Sequence, residues 1–228
     1  GILIPPSVIL IIYSILTEQN IAKMFLCAFI PGILAAFGYI IAISIYVRMN
    51  SNAGPTKTRE SWSNRLHLFK NIWHIIIIFI VMIGGIYLGL FTPTEGAAIG
   101  AAGTGLIAIT NKSFNFYAFI EVIESTAITT GMIFFVLLGA EFFNSFIALT
   151  QLPNLLTEFS TENNLKPLVI VACIMILYLL LGCLMDSLAM ILLTIPVFFP
   201  LIMSLDFGLS PEETAIWFGI LTLVVVEV

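Results

Sequence analysis

The sequence predicts an all-α protein that crosses a membrane several times, and three observations lead to this fold class. Of its 228 residues, 60% are hydrophobic and 9% are charged, whereas a soluble domain carries roughly 25% charged residues. The apolar residues form continuous runs, several of which approach the roughly 20 residues that a membrane-spanning helix needs. Short polar breaks separate these runs, without the alternation that is typical of β-barrel strands. A water-soluble globule is excluded, because 8 basic and 13 acidic residues cannot cover the surface of so long a chain.

Composition also excludes several functional classes. The net charge is −5 and no basic stripe is present, which argues against a nucleic-acid binder. All three cysteines lie inside apolar runs, so a disulfide framework is not expected. The sequence contains neither metal-ligand spacing nor a nucleophile–base motif, so we expect neither an enzyme nor a cofactor. The chain opens at Gly1 and ends at Val228 inside apolar runs, and we expect it to be a piece of a longer protein.

The first half of the chain contains four apolar runs, at about 1–16, 22–47, 73–91 and 96–110. The loop 48–72 between the second and third runs is predicted to be cytoplasmic, because Lys and Arg are enriched on that side. Its second part, Trp62–His74, mixes basic and aromatic residues, which is typical of a segment along the membrane surface or of a plain polar linker. The basic residues of the loop and its flank are Arg48, Lys57, Arg59, Arg65 and Lys70.

The second half has an amphipathic piece at 114–125, a long apolar run at 126–149, and two shorter runs at 167–181 and 188–204. Each shorter run has too few residues to cross a bilayer comfortably. We therefore predict a re-entrant helical hairpin over about 167–204, with its tip inside the membrane. The alternation of inside and outside loops is consistent only if this segment enters and leaves on the outer side. Two tilted helices with a surface loop remain the alternative.

The first motif is the segment Gly1–Ser7, which contains Pro5 and Pro6. Proline lacks a backbone N–H and blocks the helical bond to residue i−4, so carbonyl groups of the preceding turn are left free. Inside a membrane these carbonyls need another partner, and a desolvated cation is suitable, with the Ser7 hydroxyl as a further oxygen ligand. A kink, or a helix start in which proline is favoured, is the structural alternative.

The second motif is the predicted hairpin turn, with Gly182, Asp186 and Ser187. An ionisable residue at membrane depth indicates a functional site. Asp186 or Ser187 is also suited to cap the following helix, whose backbone donors then point at an anion. Pro196 and Pro200 interrupt the second arm, so neighbouring helices must satisfy the carbonyls that they free.

Other charged or capping residues complete the candidates. Thr92, Pro93 and Glu95 fit a helix start with a capping box, which is a structural role. The glycines and alanines that follow predict close helix packing. Glu141 and Glu227 lie within apolar runs, and each is suited either to an ion path or to a structural pairing.

Several strings together resemble one family, the large permease subunit (DctM-like) of tripartite ATP-independent periplasmic (TRAP) transporters. The order and spacing of these strings also fit, and the resemblance covers essentially the whole chain. The strings are GILIPPS (1–7), IAKMFLCAFIPGIL (21–34), GLFTPTEGAA (89–98), GCLMDSLAMILLTIPVFFPL (182–201) and FGI (218–220).

The resemblance implies a fold of two inverted repeats, each with a re-entrant hairpin and a broken helix, and a transport domain that moves as an elevator. This chain would then hold the broken helix of the first repeat (1–16), scaffold helices (22–110) and the second repeat (126–228). It would lack the first hairpin and the second broken helix, which complete each sodium site. The implied sodium and substrate residues are Gly1, Ile2, Pro5, Pro6, Ser7, Gly182, Asp186 and Ser187.

The implied activity is sodium-driven import of an organic acid anion, such as a C4-dicarboxylate, sialic acid or another sugar acid, across the bacterial inner membrane. Na⁺ is the coupling ion. The implied partners are a periplasmic solute-binding protein (DctP-like) and a small membrane subunit (DctQ-like). A stand-alone Na⁺- or H⁺-coupled carboxylate symporter of a related family is the main alternative. A passive pore and, for the helices of 22–110, a purely structural subunit are further alternatives.

Overall fold

The computed structural model describes residues 3–50, 61–111, 114–163 and 165–227, with the side chains of 63–71 and 161 outside the description. These residues confirm the all-α class, since they form helices and no strand. The helices are α1 (Val8–Leu16), α2 (Ile21–Met49), α3 (Trp62–Tyr87), α4 (Pro93–Thr110), α5 (Phe116–Thr150), α6 (Leu152–Glu162), α7 (Pro167–Gly182), α8 (Ser187–Met203) and α9 (Pro211–Val226).

Two helices are longer than the apolar runs predict. α3 begins at Trp62, so the second part of the predicted loop 48–72 is helical, while residues 51–60 lie outside the described residues. α5 joins the amphipathic piece 114–125 and the run 126–149 into one helix of 35 residues. No proline interrupts α5. Polar residues such as Glu favour helix as much as apolar residues such as Ala and Leu do. Hydrophobicity therefore marks the apolar part of a helix rather than its ends.

Two of the described helices, α2 and α5, are long and apolar enough to cross a membrane, by length and composition. Only 11% of the most apolar window of each is buried within the chain. Apolar surface of this extent requires lipid or other protein around it. The two arms of the predicted hairpin are shorter apolar helices, as expected.

Close packing divides the chain into two units, Gly1–Gly32 with Glu124–Val228, and Ile33–Ile123. In the second unit α3 packs on α4 through the small residues of α4. A Cβ atom at Gly96 would lie 2.8 Å from Ile86 Cδ1, and one at Gly103 would lie 3.1 Å from Ile78 Cδ1. Glycine therefore allows the close approach that the sequence predicts.

α4 begins with the capping box that the Phe91–Glu95 motif predicts. The Thr92 hydroxyl accepts a hydrogen bond from the Glu95 N–H at 3.3 Å, and the Glu95 carboxylate accepts one from the Thr92 N–H at 2.7 Å. Pro93 occupies the first turn, where its missing N–H costs no helical hydrogen bond.

In the first unit, α7 and α8 form an antiparallel helical hairpin. The Tyr178 hydroxyl lies 2.6 Å from the Thr194 hydroxyl, and the Tyr178 ring packs edge-on against Phe198. The turn 183–186 joins the arms, and α6 packs on α8. The two apolar runs predicted over 167–204 therefore form paired helices of 16 and 17 residues, and their re-entrant placement in the membrane stays a prediction.

α1 and α9 run antiparallel in the same unit. The Tyr13 hydroxyl donates to the Ala215 carbonyl at 2.7 Å, and the Leu3 N–H donates to the Glu227 carboxylate at 3.1 Å. A short loop, 204–210, reverses the chain between α8 and α9, which also pack together. Because α9 is antiparallel to both, α1 and α8 run in the same direction. Their packed faces meet where Ile12 and Leu192 join one buried cluster.

Candidate functional site

The N-terminal motif is a non-helical segment placed before a helix. Residues 3–6 form bends, and α1 begins at Val8. Helix α1 therefore covers the second part of the predicted broken helix over 1–16, and Pro5 and Pro6 lie in the non-helical segment before it. The Pro5–Pro6 peptide bond is cis. Gly1 and Ile2, which the resemblance places in the site, lie outside the described residues.

Ser7 is the N-cap of α1. Its side-chain oxygen accepts a hydrogen bond from the Leu10 N–H at 3.3 Å, and it is 4% exposed. This is the helix start that was the structural alternative for the motif. A hydroxyl oxygen has two lone pairs, so this bond leaves acceptor capacity for a cation. The role of Ser7 as a ligand stays a prediction.

α2 approaches the non-helical segment closely at Gly32. A Cβ atom there would lie 3.1 Å from Ile4 Cγ1 and 3.6 Å from the Leu3 carbonyl oxygen. Leu3 and Pro5 are buried, whereas Ile4 and Pro6 are exposed. Non-helical backbone of this kind is tolerated at membrane depth only where protein buries it or a cavity receives it.

Asp186 at the hairpin turn is the N-cap of α8. One carboxylate oxygen accepts a hydrogen bond from the Leu188 N–H at 3.1 Å, and the side chain is exposed. Gly182 ends α7 and Ser187 begins α8. The structure thus has the capping geometry that the sequence predicts, and the first N–H groups of α8 lie at the tip.

The two predicted segments lie at the same end of the first unit. α1 and α8 are parallel and meet at Ile12 and Leu192. Ser7 lies five residues before the first contact residue and Asp186 six before the second, so each lies about one and a half helical turns away. The C-terminus of α9, with Glu227, reaches the same end because it contacts Leu3. Two helix N-termini and the Glu227 carboxylate therefore share this end.

This arrangement offers partial charges of both signs. Unpaired N–H groups make a helix N-terminus attractive to anions. The Glu227 carboxylate adds a negative charge that is attractive to cations. Sequence reasoning left Glu227 open between an ion path and a pairing, and the structure pairs it with the Leu3 backbone. Glu141 is exposed on α5, and its role stays a prediction.

Asn144 is a residue whose role the sequence did not identify. Its side-chain amide nitrogen donates to the Leu192 carbonyl at 3.3 Å. Pro196 lies four residues after Leu192, so this carbonyl has no helical N–H partner within α8. A neighbouring helix therefore satisfies a carbonyl that proline frees, as the sequence predicts. The signal that identifies Asn144 is an amide side chain in the apolar part of α5.

The Leu3–Ser7 segment presents oxygen atoms, which suit a hard cation such as Na⁺. Within the described ranges no cluster of three or more His, Cys, Asp or Glu side chains could hold a metal ion. Any cation at this end would thus rely largely on carbonyl and hydroxyl oxygens.

The apolar composition and the long apolar helices are those of a polytopic membrane protein. Residues 1–228 match the DctM component of the tripartite ATP-independent periplasmic transporters, and the chain belongs to this family.

Relatives with established names cover the same region. The chain is 31% identical over 230 residues to the C4-dicarboxylate TRAP transporter large permease protein of Pseudomonas aeruginosa, covering 100% of this chain and 52% of that protein. It is 29% identical to the sialic acid large permease of Vibrio cholerae, covering 98% of this chain and 51% of that protein. It is also 29% identical to the ectoine/5-hydroxyectoine large permease of Ruegeria pomeroyi, covering 92% of this chain and 48% of that protein. The chain spans about half the length of these relatives.

Proposed function

We propose that this chain is part of a TRAP transporter large permease that imports an organic acid anion, such as a C4-dicarboxylate or sialic acid, together with Na⁺. The observation that carries the proposal is the shared end of the first unit, where the N-termini of α1 and α8 lie with the Glu227 carboxylate. Family membership supports the transport role. Three relatives with different named solutes match at similar identity, so the solute class rests on the chemistry of the site.

Opposite charges at one end provide the coupling. The N–H groups at the starts of α1 and α8 attract a carboxylate, while the carbonyls near Pro5 and Pro6 attract a cation. A bound cation offsets the charge of the anion in a low-dielectric site, so each raises the affinity for the other.

The complete transporter in this proposal has further parts. A periplasmic solute-binding protein delivers the anion, and a small membrane subunit completes the complex in the bacterial inner membrane. Two inverted repeats form the whole permease, and its transport domain moves as an elevator. The stand-alone Na⁺- or H⁺-coupled symporter is the competing function, and it needs no binding protein.

Uptake into proteoliposomes tests the proposal. The full-length permease with its small subunit is reconstituted, and accumulation of labelled succinate and sialic acid is measured with an inward Na⁺ gradient. Accumulation that needs both the gradient and the purified binding protein supports the TRAP function. Sodium-driven accumulation without the binding protein supports the symporter instead, and equilibration without any response to Na⁺ indicates a pore.

Variants test the predicted site residues in the same assay. Ser7→Ala removes the hydroxyl, and Asp186→Asn removes the charge while it retains the capping ability of the side chain. Both are expected to raise the Na⁺ concentration for half-maximal uptake. Ser14→Ala and Asp206→Asn are matched controls. The Ser14 hydroxyl donates to the Leu10 carbonyl within α1, and the Asp206 carboxylate accepts from the Gly208 N–H in the α8–α9 loop. An unchanged Na⁺ response in both site variants removes these residues from the site.

A further inference from the structure

Glu227 joins the end of α9 to the non-helical segment that precedes α1. It directly follows the last residue of α9, and its own N–H bonds back to the Leu223 carbonyl at 3.2 Å. Its carboxylate accepts a hydrogen bond from the Leu3 N–H at 3.1 Å, across 224 residues of sequence. Leu3 is 2% exposed, and the bond to Glu227 is partly buried.

The segment Leu3–Pro6 has few backbone groups by which it can be held. Pro5 and Pro6 have no N–H, so only Leu3 and Ile4 can donate a backbone hydrogen bond within it. The bond to Glu227 uses one of these two donors. The bond thus fixes one end of a segment that packing against α2 at Gly32 also holds.

We propose that Glu227 is a positioning residue, whose carboxylate holds the Leu3 N–H and thereby sets the Na⁺ affinity of the carbonyl groups in the segment Leu3–Pro6. This inference rests on the proposed function, because it assumes that the segment binds the coupling ion. The geometry requires an acceptor oxygen at the reach of a glutamate side chain. It does not require the negative charge.

Three substitutions at position 227 separate reach from charge. Glu227→Gln keeps an acceptor at the same reach without the charge, Glu227→Asp keeps the charge but is one methylene shorter, and Glu227→Ala removes both. We expect the half-saturating Na⁺ concentration for uptake to rise at least tenfold in the Ala and Asp variants and less than threefold in the Gln variant. The maximal uptake rate at saturating Na⁺ is expected to change much less. A general folding defect would instead lower this maximal rate, because less active permease would be present.

Glu212→Ala is the matched control in the full-length permease. Glu212 is a carboxylate in the first turn of the same helix, and it pairs with Lys23 at 2.6 Å on an exposed surface. Exposed ion pairs contribute little stability, so the Na⁺ response of this variant is expected to equal that of the wild type. If Glu227→Gln is as defective as Glu227→Ala, or if Glu227→Ala is unchanged, the inference is overturned while sodium coupling stands. A wild type that does not respond to Na⁺ overturns the proposed function, and the inference with it.

Hydrogen exchange supplies a readout that does not depend on uptake. Between Leu3 and Ser7 only Leu3, Ile4 and Ser7 have an exchangeable backbone amide, because proline has none. In the detergent-solubilised permease, a peptide covering this segment is expected to exchange faster in Glu227→Asp than in the wild type, and at the wild-type rate in Glu227→Gln. Equal exchange in all three proteins would contradict the proposed bond, even if the Ala variant does not fold.

Discussion

Removal of the Asn144 amide exposes the Leu192 carbonyl to an apolar environment without a donor. The Asn144→Leu variant keeps approximate size and removes the bond of 3.3 Å. The same substitution removes the Asn144 side-chain carbonyl oxygen, which is buried and has no hydrogen-bond partner in the described part of the chain. These two effects oppose each other, because a buried unsatisfied polar group costs about 1–3 kcal/mol. The free energy of unfolding of this single variant is therefore a poor measure of the bond.

A double-mutant cycle with Pro196→Ala isolates the bond. Alanine at this position supplies the N–H that bonds to the Leu192 carbonyl within α8, so the amide of Asn144 is no longer needed. We expect Asn144→Leu to cost more in the wild-type background than in the Pro196→Ala background, by about 0.6–1 kcal/mol. Hydrogen bonds between membrane helices average about 0.6 kcal/mol and reach about 1.7 kcal/mol. The bond at 3.3 Å is longer than most, which favours the lower part of that range.

The assay is denaturant unfolding of the full-length permease in detergent micelles, with the free energy of unfolding compared among the four proteins of the cycle. A matched cycle with Pro200→Ala is the control, because Pro200 frees the carbonyl of Pro196 and not that of Leu192. Its coupling energy with Asn144→Leu is expected to lie within about 0.3 kcal/mol of zero. Equal coupling in the two cycles, or none in the first, would refute the assignment of Asn144 to the Leu192 carbonyl.

Two further predictions concern α9 and the packing of its unit. Gly219→Ala places a methyl group against the Tyr13 ring, and we expect it to lower the free energy of unfolding by about 1–3 kcal/mol. In the control Gly105→Ala, the new methyl group meets nothing within 4 Å, so the free energy of unfolding is expected to stay unchanged. The Ser210 hydroxyl and backbone N–H donate to Glu213 and lower the pKa of its carboxyl group. The stability from this carboxylate is present above the unfolded-state pKa and is lost as pH falls through the lowered folded-state pKa. The melting temperature of Glu213→Gln, measured as a function of pH, is therefore expected to fall less at acidic pH than that of the wild type.

Local features of this protein were predictable from sequence because neighbouring residues determine them. The capping box at Thr92 requires only residues within one helical turn, and the structure has it. The arms of the hairpin follow from two apolar runs and a polar turn. The prolines of α8 predicted a free carbonyl, and the structure pairs one with a neighbouring helix. Helix ends were less predictable, since α3 and α5 continue through polar residues that favour helix as much as apolar ones do.

The candidate site could be predicted only in part. Residue chemistry indicated the segments Gly1–Ser7 and Gly182–Ser187, but not that Leu3–Ser7 and Gly182–Ser187 lie at one end of the first unit. That placement depends on the relative directions of α1, α8 and α9, which contacts such as Tyr13 to Ala215 reveal. Such contacts join residues far apart in sequence, where no periodic pattern carries information.

The sequence by itself determined the class of this protein, its helical composition, its membrane environment and its family, because apolar runs and short motifs act locally. Only the tertiary structure decided which donor meets which free carbonyl, and that Glu227 holds the backbone of Leu3. The physical reason is that a backbone group freed by proline must find a partner in an apolar interior, but many side chains are chemically suitable. Packing selects one of them by bringing it within hydrogen-bonding distance.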